Sequence, residues 1–274
     1  MTAANPNRTL WEKGDFTRIA DTMRDSGDAL VRSLGVTRGM KVLDLGCGDG
    51  TTAVPEAHLG ADVLGVDIAS NLVAAGNRRA KELGLGNLRF QEGDACDLRD
   101  LADDSFDLVV TVFGAMFAPK PFEVAKEMVR VTKSGGRVVM GNWIANDPTL
   151  VAQILKVSSA YSPPPPEGFV SPMTWGVETH VRERFAAAGV PGAAVRCTPD
   201  TFTFDFAGTP EQFVETFRNF YGPTMNAFDA AAKNGRAEAL QRELEELFRA
   251  QNKSGNAART VIPATYLRVT ATVA

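Results

Sequence analysis

Between Val42 and Thr51 the chain reads VLDLGCGDGT: a carboxylate, Asp44, late in an apolar run, then Gly46, Gly48 and Gly50 at every second position, with Cys47 and Asp49 between them. Alternate glycines let a chain turn sharply and let a ligand lie against bare backbone. Asp44 and Asp49 give this turn a negative rim, which repels a pyrophosphate. That charge suits an adenosine-like ligand with a cationic end, of which S-adenosylmethionine is the common one. Asp44 also reads as a capping carboxylate for a helix that starts near Thr51. Asp67 ends the next apolar run, the place where an acidic residue takes ribose hydroxyls in nucleotide-binding folds of this plan.

Those side chains need strand tips to stand on. From residue 41 to about 144, apolar runs of strand length alternate with helical patterns, the mark of a parallel sheet with crossover helices. Strands are expected at 41–45, 61–66, 88–91, 106–113 and 137–143. Helices are expected at 51–59, at 70–83 with Ser70 as cap and Gly84 as stop, and at 122–132, closing at Gly135-Gly136. Beyond Trp143 the alternation lapses. The run Ser162-Pro163-Pro164-Pro165-Pro166 reads as a stiff extended bridge covering a pocket. A helix is expected at 177–188 and a sixth strand at 195–206. Thr209-Pro210-Glu211-Gln212 should start a helix that carries Phe213, Phe217 and Tyr221 on one face. A helix at 236–251 should bury Leu240, Leu244 and Leu247, before a last strand at 260–273. The whole reads as a doubly wound α/β fold, a mostly parallel seven-stranded sheet with helices on both faces and a helical lid made of insertions. Its parts are a leading helical lid segment (1–40), a core (41–144), a cover segment with a helix and the sixth strand (145–206), a helical insertion capping the acceptor site (207–259) and the closing strand (260–274).

The motifs within 41–144 resemble, in order, those of the class I, Rossmann-like S-adenosylmethionine-dependent methyltransferases of the small-molecule type. VLDLGCGDG is similar to the family's first motif, Asp67 in GVDIA to its second and GDACDL to its third. SFDLVVTVFGAMFA with EMVRVTKSGGRVV is similar to its fourth and the turn after it. Where relatives often have Pro-Gly-Gly, this chain has Ser134-Gly135-Gly136. The resemblance implies that Asp44 accepts, directly or through water, from the methionine ammonium, and that Gly46, Cys47 and Gly48 line the cofactor. It implies that Asp67 holds the ribose, Ile68 packs on the adenine, and Asp94 with Ala95 meets the adenine amine. Val112, Phe113 and Met116 should border the methyl group. A product, S-adenosylhomocysteine, is implied with the cofactor.

Methyl transfer asks mainly for alignment and dryness, and aromatic faces attract a sulfonium. Trp11, Phe16, Phe113, Trp143, Tyr161, Trp175, Phe220 and Tyr221 lie at strand ends or in insertions, and some of them should wall the acceptor site. Trp11 and Phe16 belong to a leading segment expected to fold across the cofactor, with Lys13 or Arg18 near its carboxylate. His180 is the candidate general base, at the margin of a helix stripe of Val177, Val181 and Phe185. Tyr161 and Tyr221 are candidate orienting donors. Transfer to an amine or phenolate needs no strong base.

A net charge of -4 and a pI near 5.4 offer no field for a phosphate backbone. The Asn/Asp-Pro-Pro-Tyr/Phe sequence of amino-methylating nucleic-acid enzymes is replaced by Thr111-Val112-Phe113-Gly114. Nucleic acid is therefore not the expected partner. Three cysteines without CxxC spacing and two histidines give no disulfide framework and no metal cluster. The start has no apolar run suited to a signal peptide, and no stretch is long and apolar enough for a membrane, so a cytoplasmic chain is expected. Two rival classes share the sheet. A nicotinamide oxidoreductase would normally show GxGxxG and a turn that accepts pyrophosphate. A non-catalytic S-adenosylmethionine-binding protein would keep the same motifs.

Overall fold

Strands with no polar face can only be buried between two helical layers. The computed structural model, which describes residue 5 and residues 7–274, places the apolar runs at the centre of a seven-stranded sheet. Three short helices lead in: α1 (Asn7–Glu12), α2 (Thr17–Ala20) and α3 (Arg24–Ser33). The alternating core follows as β1 (Lys41–Leu45), α4 (Ala53–His58), β2 (Asp62–Asp67), α5 (Ser70–Glu82), β3 (Leu88–Glu92), β4 (Phe106–Val112), α6 (Pro121–Val131) and β5 (Thr132–Trp143). Then come α7 (Leu150–Ser159), α8 (Glu178–Ala187), β6 (Val195–Phe206), α9 (Pro210–Phe220), α10 (Gly222–Lys233), α11 (Ala237–Gln251) and β7 (Thr260–Thr272).

The strand order is β3-β2-β1-β4-β5-β7-β6, with β7 antiparallel to both neighbours and the remaining pairs parallel. The order reverses between β1 and β4, which opens a crevice at their carboxyl ends. Register pairs Leu45 with Val66 and Asp44 with Val110, so the first turn, Asp67 and Val112 emerge side by side. Val42, Leu43, Val63, Leu108, Val109, Val110 and Val138 have no exposed surface.

Several local expectations change. Ser70 begins α5 but does not cap it; its hydroxyl instead donates to Glu12 at 2.8 Å. β5 starts at Thr132, directly after α6, and the Ser134-Gly135-Gly136 stretch is an irregularity within it: Gly135 has φ +76° and its N–H donates to the Val273 carbonyl at 2.8 Å. The proline run does not cover the pocket. Pro163 to Pro166 are exposed, and the cover over that region is α7, whose apolar stripe the lapse in alternation concealed. In α11 the third buried residue is Phe248, not Leu247, which is half-buried. The α9 start is built as expected, Thr209 and Gln212 making a reciprocal capping box.

Candidate active site

The turn after β1 is held open by its glycines. Gly46 has φ +67°, and a Cβ there would lie 2.6 Å from the Gly114 Cα, so the backbones after β1 and β4 touch only because both residues lack side chains. Asp67, at the tip of β2, fixes the next position: Oδ2 accepts from the Gly48 N–H at 2.8 Å and Oδ1 from the Ala69 N–H at 2.9 Å. One bond per oxygen leaves lone pairs for a diol. Burial raises the Asp67 pKa, against these backbone donors.

Above these tips lies a cleft of about 1160 Å³, part of it open to solvent. Gly46, Cys47, Gly48, Asp67, Ile68, Asp94, Ala95, Val112 and Phe113 are on its wall, as are Trp11 and Phe16 from the leading segment. The glycine cradle, a two-oxygen acceptor at Asp67 and the apolar flanks Ile68 and Ala95 fit a nucleoside. Cys47 is buried and its thiol is pushed well above its usual pKa by burial, which keeps it a neutral wall group.

Two expected wall residues lie behind the wall. Met116 is packed in the core, and the wall there is Ala115 and Phe117. Asp44 is fully buried under the turn: Oδ2 accepts from the Thr52 hydroxyl at 2.6 Å, while Oδ1 has no partner among the described residues. Asp44 is thus tied to Thr52 at the start of α4 and does not line the cleft. Burial pushes its pKa up to about 7. Glu56 of α4 is also fully buried with both oxygens unpartnered, and burial and the charge of Asp44 raise its pKa well above the usual range.

The negative rim is corrected as well. Asp49 pairs with Arg24 at 2.5 Å, and Arg24 also donates to the Thr51 hydroxyl at 2.6 Å. Arg79 donates to the Asp49 and Gly50 carbonyls. Negative charge facing the cleft is therefore concentrated at Asp67 and Asp94, not at the turn. Arg24 lay outside the expected site because nothing in its local sequence marks it.

The candidate bases fall away from the cleft. His180 is exposed on α8 and His58 is exposed at the end of α4; neither lines the wall. The Tyr161 hydroxyl donates to Glu243 at 2.5 Å, with Arg236 4.2 Å over its ring, an arrangement that ties α7 to α11 outside the cleft. Trp175 and Phe220 do not line it either. Lys13 pairs with Asp229 and Arg18 with Asp15, so neither reaches the cleft. Tyr221 does line it, together with Phe117, Trp143, Val151, Ile154, Phe204 and Phe217. Phe204 and Phe217 are legible as alternate and helical-face aromatics; Val151 and Ile154 carry the missed α7 stripe.

The leading segment closes one side. Asn5 donates to both Asp94 oxygens at 3.1 Å, Asn7 donates to the Phe117 carbonyl, Arg8 to Glu92 at 2.8 Å, and Glu12 accepts from Ser70. Trp11 meets Phe117 edge-on at 5.0 Å, Phe16 at 5.9 Å and Tyr221 at 6.0 Å. Phe113 stacks on Trp143 at 3.6 Å.

Comparison with known proteins agrees with this geometry. The model of a methyltransferase domain family matches residues 43–140. An uncharacterised protein of Mycobacterium tuberculosis is 32% identical over 248 residues, covering 90% of this chain and 88% of its own. A demethylmenaquinone methyltransferase of Paenarthrobacter aurescens is 38% identical over 114 residues, 42% of this chain and 43% of its own. Among solved structures, phosphoethanolamine N-methyltransferase 2 of Haemonchus contortus, in complex with phosphomonomethylethanolamine and S-adenosylhomocysteine, superposes with a TM-score of 0.61 at 14% identity, covering 97% of this chain and 60% of that one.

Proposed function

The chain belongs to the class I S-adenosylmethionine-dependent methyltransferases, and from that premise we propose that it transfers a methyl group in line to a small, largely apolar or aromatic acceptor. The observation that carries this reading is the composition of the cleft beyond the strand tips: Trp11, Phe16, Trp143, Phe204, Phe217 and Tyr221 with Val151 and Ile154 make a wall for a flat apolar molecule. The relative from Paenarthrobacter aurescens is, by its name, a methyltransferase of demethylmenaquinone.

S-adenosylmethionine supplies a methyl group already activated on a sulfonium. The chain's own contribution is placement. Asp67 takes the ribose, Ile68 and Ala95 flank the base, and the Gly46–Gly48 backbone lies against the methionine part. Asp94, bound to Asn5, is the acceptor within reach of the adenine amine. The aromatic wall keeps water from the acceptor face and offers π-density to a cation, while fixing the acceptor shortens its path to the methyl carbon. Among the described residues no helix is long and apolar enough to cross a membrane.

Titration calorimetry tests the reading directly. S-adenosylmethionine and S-adenosylhomocysteine should bind one to one and NAD should not, and adding aromatic acceptors to the S-adenosylmethionine complex should release S-adenosylhomocysteine. Binding of NAD in place of the S-adenosyl ligands would overturn it.

A further inference from the structure

Of the three tyrosines, Tyr161 gives its hydroxyl to Glu243 and Tyr266 gives its own to Asp200 at 3.0 Å, whereas the Tyr221 hydroxyl has no partner among the described residues. Tyr221 is 6% exposed, its ring set edge-on to Phe217 at 5.4 Å and 6.0 Å from Trp11. The residue stands on the cleft wall. It is the one phenol on a wall otherwise made of aromatic and aliphatic groups. The other titratable wall groups, Cys47, Asp49, Asp67 and Asp94, stand at or beside the strand tips on the cofactor side. Residues 1–4 and 6 carry no acidic, basic, thiol or phenol side chain.

Resting on the function proposed above, we infer that the acceptor is an acidic phenol or enol that enters as its oxyanion, with the Tyr221 hydroxyl donating a hydrogen bond to that oxygen. A neutral alcohol would need a base that this wall does not hold. An oxyanion needs none, and its charge is compensated by the neighbouring sulfonium and by one charge-assisted hydrogen bond. The acceptor proton leaves to bulk water before binding. The oxygen lone pair forms the new O–CH3 bond, the S–CH3 bonding pair stays on sulfur, and no protein group changes protonation. Burial raises the Tyr221 pKa, which keeps it a donor across the working range.

The test uses the full chain saturated with sinefungin, an unreactive S-adenosylmethionine analogue that keeps a cation where the sulfonium stands, probed with para-nitrophenol, para-cyanophenol and para-cresol, and with benzylamine as the amine control. Absorbance reports which protonation state of para-nitrophenol is bound. Bound phenolate, affinity that falls from the most to the least acidic phenol, and a loss of about ten- to hundred-fold in phenolate affinity in Tyr221→Phe are the expected results. With S-adenosylmethionine in place of the analogue, kcat/KM should rise with pH at the pKa of each phenol and not at one common value. Binding of the neutral phenol, binding of no phenol, preference for benzylamine, or unchanged phenolate affinity in Tyr221→Phe would each overturn the inference. Calorimetry on the same samples separates this from failure of the wider reading, since a methyltransferase with another acceptor still binds the analogue.

Discussion

Asp67 carries two tasks that no other residue in the cleft shares. It accepts the N–H groups of Gly48 and Ala69, so it sets the shape of the turn, and in the proposed function its remaining lone pairs take the ribose hydroxyls. Asp67→Asn keeps the size but removes the charge and one acceptor. Each lost charge-assisted bond is worth about 1.5–3 kcal/mol, so S-adenosylmethionine affinity should fall about ten- to hundred-fold by calorimetry. An unchanged Kd would rule out the ribose assignment. The position of Asp67 was readable because motif spacing is local: a strand tip, a turn and an acidic residue on the next tip. The charge state of the turn was not. Arg24, which neutralises Asp49, lies 25 residues away in sequence, and Asp44 turns inward because Thr52 and the N-terminus of α4 take its carboxylate. Such pairings depend on how α3 and α4 pack on the sheet, which no local pattern encodes.

At the scale of elements, the leading segment is a strap joined to the cleft rim by polar contacts. Arg8–Glu92 joins α1 to the tip of β3, Glu12–Ser70 joins it to α5, and Lys13–Asp229 joins it to α10. These pairs are substantially exposed, so each contributes little to global stability. They hold the segment that carries Trp11 and Phe16 to the cleft wall, which in the proposed function lies over the cofactor. Replacing Arg8 and Glu12 together by Ala should leave the melting temperature within a few degrees of wild type while weakening S-adenosylmethionine binding about three- to tenfold, the scale of one or two exposed contacts. Equal affinity in the double variant would show that the strap only packs on the sheet flank. The core elements were legible from periodicity because buried parallel strands are nearly all apolar, as in β1, which has the expected bounds; the antiparallel edge strand β6 has them too, from its alternating Phe202, Phe204 and Phe206. Helix α7 was hidden by the irregular stretch before it. Asn146 takes φ +59°, and the Asp147 carboxylate accepts the Thr149 N–H at 2.8 Å. A turn held by side chains masks the start of the next helix. The proline run misled for a related reason, since composition predicts its stiffness but not the surface it lies on.

Across the whole molecule, two acids beneath the first strand tips have pKa values raised mainly by burial: Asp44, at about 7, and Glu56. A buried acid with a raised folded-state pKa stays protonated where the unfolded chain is already ionised. Its stabilising contribution is full below the ordinary carboxylate range and is lost as pH rises through the folded value. Each acid in that window removes about 1.4 kcal/mol per pH unit. Acids held low by arginine or lysine partners, such as Asp107 beside Lys133, Glu127 beside Arg130 and Asp205 beside Arg259, act oppositely, but they weaken the fold only as pH falls through and below the usual carboxylate values. The two groups therefore work in different ranges. The ligand-free protein should be most stable near pH ~5 and lose stability as pH rises toward the Asp44 value of about 7. Glu56 lies off the cleft wall, so Glu56→Gln should reduce that slope by about one acid's share, 1.4 kcal/mol per pH unit, and raise the melting temperature on the alkaline side. Thermal melts of both proteins in buffers of constant ionic strength give the comparison. A melting temperature that stays level or climbs from the acidic to the alkaline end in the wild type, or parallel curves for the two proteins, would mean that these acids are already ionised in the fold.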